Sequence, residues 1–301
     1  MNNIRFGYIN LLITVLLFST FETASKLIGS EFSALEINFL RFLIGGMLLL
    51  VILIVKKEAV ASLKELGSFA MLGLLNVVLS MSILQYCLTL PNSKASVIAV
   101  IFSSNPIFVA IFASKIDGEK LGINKLFGFL LGIVGILVIM FQKFGTGSMD
   151  IVSPLLALLS AILYGLYSVL GRKISLNSGS LKMNTYSFIF GSLLLVPFLI
   201  VSGVKPRAIP VNSILILLYL AIFVTGTAYI CYFVGLKIAG ASSGSMVFFL
   251  KPVFASIISI ILLGEVLTIN LVIGAILVVL GLVIVLYGEK FTKIFVVKDK
   301  R

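Results

Sequence analysis

Histidine and tryptophan are absent from this chain of 301 residues, cysteine occurs twice, and only 11% of residues are charged. Each shortage removes a class of function. Without histidine there is no imidazole metal site and no Ser/His/Asp relay. Cys87 and Cys231 stand singly inside apolar runs, so neither a disulfide framework nor a CxxC redox or metal motif is present. The three aspartates, Asp117, Asp150 and Asp299, all lie in polar gaps or near the C-terminus. That leaves no aspartyl pair within an apolar run, and no Walker-type phosphate loop appears either. The chain reads as non-enzymatic, with no call for a metal or other cofactor.

What fills the chain is apolar: 60% of residues are hydrophobic and the mean hydropathy is +1.23. Ten runs stand out, at about 8–27, 34–55, 67–90, 95–114, 124–142, 153–171, 184–203, 212–236, 241–263 and 268–287. Each is long enough to cross about 30 Å of hydrocarbon as a helix. The expected fold class is therefore an all-α integral membrane protein with ten transmembrane helices. The first run is too long for a signal-peptide core and lacks a small-residue cleavage pattern, so it is expected to remain as a span.

A formal net charge of +12 would suggest nucleic acid in a soluble protein. Here most of it sits in short gaps, where it reports topology, and the expected partners are the lipid bilayer and a small-molecule solute, not nucleic acid. With a cytoplasmic N-terminus, sixteen lysines and arginines fall in the inside segments, from Arg5 to Arg301, against four outside: Lys94, Lys143, Lys205 and Arg207. That asymmetry predicts a multi-pass protein with both termini cytoplasmic.

The chain also repeats itself. Pro252 and Pro106, Tyr232 and Tyr86, Gly264 and Gly118, Gly274 and Gly128, and Gly281 and Gly135 are all separated by 146 positions. The expected organisation is a first half at 1–145, a second at 146–290, and a basic cytoplasmic tail at 291–301. Five spans per half is an odd number, so the second half enters the membrane upside down. Inverted repeats of this kind mark secondary transporters, with the site near the midplane where the halves meet.

Each repeat carries an Asn-Pro or Lys-Pro in its fourth helix, followed by Gly-Glu-x-Leu, as Gly118-Glu119-Lys120-Leu121 and Gly264-Glu265-Val266-Leu267. With Phe18-Ser19 in the first span and Tyr164-Gly165 in the sixth, this resembles the EamA type of the drug/metabolite transporter superfamily over nearly the whole chain. The resemblance implies a ten-helix carrier in a bacterial cytoplasmic (inner) membrane, often exporting amino acids or related metabolites.

Among candidate site residues, Lys251 comes first. It lies about ten residues into its run, roughly 15 Å deep at 1.5 Å per residue, which is the midplane. A cation there is expensive and reads either as an anchor for a substrate carboxylate or phosphate, or as half of a buried ion pair. Pro252 beside it and Pro106 in the other half are expected helix breaks that free the carbonyls of Phe248 and Phe102. Asn105 occupies the position equivalent to Lys251. Glu22 is the expected acidic partner, and three roles stay open to it: recognising an ammonium, exchanging a proton during transport, or neutralising Arg41 or Lys251. An outer gate between Glu22 and Arg41 fits their depths, while Lys26 is expected to snorkel outward.

Tyr86, Tyr229, Tyr232 and Tyr164 supply hydroxyls at helical spacings that suit a polar cavity, with interfacial packing as the alternative. Thr225 shares the face of Tyr229 and Tyr232, and Asn76 shares one with Ser80. Glu119 and Glu265 are expected to cap the helices that follow them. The glycines of spans five and ten suit close helix packing or a contact between protomers. The leading functional expectation is a secondary transporter that exports a small amino acid or related zwitterionic or anionic metabolite by alternating access. An exporter of lipophilic cations or drugs is the alternative, with Glu22 attracting the cation and Lys251 opposing it. A non-transporting membrane protein is the remote alternative.

Overall fold

The computed structural model describes residues 2–29, 31–58, 60–118, 122–140, 151–204 and 211–298, and among these every regular element is a helix. Eight are long and apolar enough to cross a membrane. They are α1 (Ile4–Ile28), α2 (Ala34–Val55), α3 (Leu63–Thr89), α4 (Ala95–Ile116), α6 (Val152–Ser178), α7 (Ser180–Val201), α8 (Ser213–Ala239) and α9 (Ala241–Leu263). Completing the ten, α5 (Ile123–Met140) and α10 (Ile269–Lys298) contain the shorter apolar stretches Leu126–Gly135 and Ile269–Gly281 and pack on each other. The expected spans are thus present, with shifted ends. The sixth runs on to Ser178, where Gly179, at φ +81°, turns the chain directly into α7. The tenth continues helical to Lys298, through most of the stretch expected as a tail.

Helix contacts obey the 146-residue relation. A Cβ on Gly45 of α2 would come within 2.8 Å of the Ala221 carbonyl of α8, and one on Gly191 of α7, 146 positions on, within 2.9 Å of the Gly73 carbonyl of α3. Thr14 of α1 donates to the Ala228 carbonyl of α8 at 3.2 Å, while Ser160 of α6 donates to the Ser80 carbonyl of α3 at 2.8 Å. Gly281 faces the Gly128 carbonyl and Gly135 faces that of Gly274, so α5 and α10 run antiparallel. That direction is the one two inverted five-helix repeats require. These sites admit no side chain, which is how small residues let membrane helices approach without a hydrophobic drive.

The midplane backbone is irregular in both halves. In α4 the helix breaks at Ser103–Ser104 and resumes at Asn105; in α9 a 3₁₀ segment, Met246–Leu250, precedes Lys251. Proline at 106 and 252 withholds an N–H in each case. Two π-helical segments, Leu74–Met81 in α3 and Leu220–Thr227 in α8, also stand 146 positions apart. A hydroxyl reaches five residues back at the end of each: Ser82 to the Val77 carbonyl at 3.0 Å, and Thr227 to that of Ile222 at 3.1 Å. Segments of this kind widen a helix by one residue and concentrate at functional sites. Phe102 and Phe248, equivalent residues of the two repeats, meet with ring centres 6.2 Å apart, so the two proline sites do come together.

Candidate functional site

Around that meeting point lies a cavity of about 20 Å³, walled by Phe18, Phe21, Met81, Leu84, Phe102 and Val224 and carrying Arg41, Lys251, Tyr164 and Tyr229 on its surface. Lys251 donates to Glu22 Oε1 at 2.5 Å and places its ammonium 4.6 Å from the centre of the Phe102 ring. Both members of the pair are only 1% exposed. The second oxygen, Glu22 Oε2, has no partner.

Arg41 is also 1% exposed, yet it does not pair with Glu22 as the expected gate requires. Its Nε and Nη2 donate to Asn38 Oδ1 at 3.2 and 2.9 Å, and Nη1 donates to Thr225 Oγ1 at 3.3 Å. The guanidinium lies between two rings, 4.6 Å from the centre of Phe21 and 4.2 Å from that of Phe42. Asn38 is fixed in turn, since its amide nitrogen donates to the Val77 carbonyl at 2.7 Å and to Ser82 Oγ at 2.9 Å. Five N–H donors, three of them used, leave Arg41 two to offer the cavity. Among the described residues no carboxylate lies within ion-pair distance of it.

Tyr164, Tyr229 and Tyr232 are buried together with Phe18, Phe102 and Phe248 in one aromatic cluster. Tyr229 donates to Asn76 Oδ1 at 3.4 Å and Tyr232 to Ser168 Oγ at 2.9 Å, whereas the Tyr164 hydroxyl is unpartnered beside the cavity. The expected polar tyrosine face is therefore mostly an interlocked wall with Tyr164 as its free hydroxyl.

Four expected placements differ in the structure. Tyr86 is 52% exposed on the perimeter of the bundle and is not brought to the cavity, because it lies on the outward face of α3, whose neighbours Gln85 and Cys87 point inward and are buried. Asn105 is fully buried, but its amide nitrogen donates to the Phe102 carbonyl at 2.9 Å, the group that Pro106 leaves open. Through Nδ2 it mends backbone and it does not line the cavity, while its Oδ1 is buried without a partner. Glu265 caps α4 instead of the helix that follows it: its carboxylate accepts from Ala95 N at 2.7 Å, Ser96 N at 3.1 Å and Ser96 Oγ at 2.5 Å. Glu119 lies outside the described residues. Lys26 does not simply snorkel, since its ammonium donates to the Ser93 carbonyl.

In α9 the freed Phe248 carbonyl accepts from the backbone N–H of Lys251, which leaves the lysine side chain at liberty for Glu22. The sequence reading passed over Asn38, Phe21 and Phe42. A polar residue three positions before a buried arginine, on an otherwise apolar helix, was the available signal.

The EamA-like transporter family model matches the chain twice, at residues 5–141 and 152–287. An uncharacterized transporter of Clostridium kluyveri is 34% identical over 92% of each chain. One from Archaeoglobus fulgidus is 28% identical, over 92% of this chain and 98% of its own. The uncharacterized transporter YoaV of Bacillus subtilis is 27% identical, over 81% and 84%. A protein crystal structure superposes with a TM-score of 0.70, covering 94% of this chain and 95% of its own at 18% identity, a likeness of fold alone. A multi-pass helical bundle, a duplicated half and transporters as relatives over nearly its full length place this chain in the EamA-like transporter family, within the drug/metabolite transporter superfamily.

Proposed function

We propose that this transporter is a secondary carrier for a small zwitterionic or anionic metabolite, an α-amino acid fitting best, exported by alternating access. One observation carries the reading. Two cationic side chains, Arg41 and Lys251, line a small cavity, and one carboxylate, Glu22, is bonded to Lys251, each of the three being 1% exposed. Formally the site is left with one positive charge in excess, which favours a solute bearing a negative group and opposes a lipophilic cation.

The unpaired atoms fit the two ends of an amino acid. Arg41 has N–H groups to spare for a carboxylate, and Glu22 Oε2 is free to accept from an ammonium while Lys251 holds the other oxygen. Aromatic and aliphatic walls suit an apolar side chain. As it stands the cavity has room for little more than a water molecule, so a solute is seated only when the bundle opens. No ATPase motif is present, so uphill flux draws on an ion or solute gradient, and proton exchange at Glu22 is one way to couple it. The distribution of lysine and arginine supports both termini being cytoplasmic, and the bacterial relatives support a bacterial inner membrane.

The test is exchange of radiolabelled amino acids by the purified chain in liposomes, with folding checked by gel filtration. Arg41→Ala and Lys251→Ala should each abolish exchange. Normal flux in both variants overturns the anion-seat reading, and flux of a lipophilic cation that needs Glu22 but neither cation establishes the drug-export alternative.

A further inference from the structure

The 146-residue relation pairs positions near one end of the bundle with positions near the other, so the two ends compare residue by residue. At the end that carries Arg172, the seam between α6 and α8 is closed. Tyr232 donates to Ser168 at 2.9 Å, Gly171 lies where a Cβ would come within 2.6 Å of the Phe233 ring, and Arg172 Nε donates to the Leu236 carbonyl at 2.9 Å. Arg172 also pairs with Asp117 at 3.3 Å.

The equivalents of Ser168, Gly171, Arg172 and Tyr232 are Glu22, Ser25, Lys26 and Tyr86, on α1 and α3, toward the end that carries Glu265. There the seam is not closed in the same way. Glu22 Oε2 and Ser25 Oγ have no partner, and Tyr86 is 52% exposed. Gln85 is 0% exposed, yet neither its oxygen nor its nitrogen has a partner. Lys26, like its counterpart Arg172, donates to a backbone carbonyl, but to that of Ser93 and not to the equivalent one of Leu90.

These unpaired atoms lie in one direction. Phe18 and Phe21 of α1 and Met81 and Leu84 of α3 line the midplane cavity, whereas Ser25, Gly29 and Thr89 line a crevice of about 700 Å³, partly open, at the Glu265 end. On α1 the positions 18, 22, 25 and 29 share a helical face, and on α3 the positions 81, 85 and 89 do. Glu22, Ser25 and Gln85 therefore stand between cavity and crevice. A buried amide with no partner in apolar surroundings is unfavourable unless water or solute serves it in another state.

We propose that the α1–α3 seam is the passage between the midplane cavity and the Glu265 end, that Ser25 and Gln85 contact the polar groups of the solute in transit, and that the α6–α8 seam is its closed counterpart. Both residues offer a donor and an acceptor, which suits a zwitterion passing in either orientation. The proposal rests on the carrier reading above.

Its test is thiol accessibility in the full-length chain with Cys87→Ala and Cys231→Ala, in intact cells and inverted vesicles, using a membrane-impermeant methanethiosulfonate. Asn92→Cys marks the Glu265 end and Lys173→Cys the Arg172 end, both positions being exposed. Ser25→Cys and Gln85→Cys should react about tenfold faster from the Asn92 side than from the Lys173 side, as open access to a thiolate requires. Faster reaction from the Lys173 side, or no reaction at Ser25→Cys while both markers react, overturns the proposal. If Gln85→Cys fails to fold, Ser25→Cys, which only exchanges oxygen for sulfur, carries the test alone. Labelling needs no transport, so a chain that labels as expected but exchanges no amino acid refutes the solute assignment and leaves the passage standing.

Discussion

Glu22 Oε1 lies 2.5 Å from Lys251 Nζ, joining the first helix to the ninth across 229 positions of sequence. Neither group is more than 1% exposed, so removing either one strands the other in apolar surroundings. A buried pair broken on one side loses about 3–5 kcal/mol, whereas neutral replacement of both members is often tolerated. Glu22→Gln and Lys251→Met should each lower the thermal stability of the purified protein by an amount in that range. The double variant should recover most of the loss and still fail to exchange solute. Additive losses in the double-mutant cycle, within about 0.5 kcal/mol, would mean that the pair is not formed.

Asn38 holds Arg41 through two bonds to one carbonyl oxygen and brings no charge of its own. Asn38→Asp keeps the shape and gives Arg41 a carboxylate of its own, converting an unneutralised cation into a neutral pair. The KM for an anionic or zwitterionic solute should rise about tenfold or more, in line with a loss of about 1.5–3 kcal/mol for a charge-assisted bond, while stability falls, because the Asn38 Nδ2 donor to the Val77 carbonyl is replaced by a second acceptor. Arg41→Lys should weaken the seat by a similar amount, because an ammonium cannot make the planar bidentate contact or stack between Phe21 and Phe42. Unchanged KM values in liposome exchange for both variants would remove Arg41 from the binding role.

The membrane fold was legible because its signals are long: ten apolar runs, the charge asymmetry and a 146-residue repeat. The depth of Lys251 and its acidic partner Glu22 were legible for the same reason, since a charge inside an apolar run stands out. What escaped was the difference between equivalent positions. Asn105 and Lys251 answer the same proline problem differently, one by a side-chain amide and the other by a 3₁₀ N–H. Tyr86 and Tyr232 share an offset but not an environment. Sequence symmetry predicts equal roles, and a carrier must break that symmetry to be closed at one end.

Close helix contacts give a prediction independent of the solute. A Cβ on Gly281 would come within 2.5 Å of the Gly128 carbonyl, and on Gly135 within 2.7 Å of that of Gly274. Backbone cannot yield as a flexible side chain does, so Gly281→Ala or Gly135→Ala must push α5 and α10 apart. Overpacking of this kind costs about 1–3 kcal/mol. By contrast, Gly67→Ala meets nothing within 4 Å inside a helix and should hold or slightly raise the melting temperature. Thermal unfolding in detergent compares the three directly, and equal melting temperatures would contradict the α5–α10 contact.

The last prediction concerns the Phe102 carbonyl. Pro106 withholds the N–H that would bond it, and Asn105 Nδ2 supplies the replacement at 2.9 Å inside a fully buried site. Asn105→Leu keeps the volume but strands that oxygen, a loss of about 1–3 kcal/mol. Adding Pro106→Ala restores an N–H at the position four residues on, which lets α4 close its own helical bond. The double variant should therefore be more stable than Asn105→Leu alone, and thermal unfolding of the two proteins measures the rescue. Lys251→Met leaves the Phe248 carbonyl bonded, because its donor there is backbone. Pro252→Ala should accordingly give no rescue of Lys251→Met. Equal rescue on both sides would mean that the two repeats mend their proline breaks alike, against the division of labour between Asn105 and Lys251.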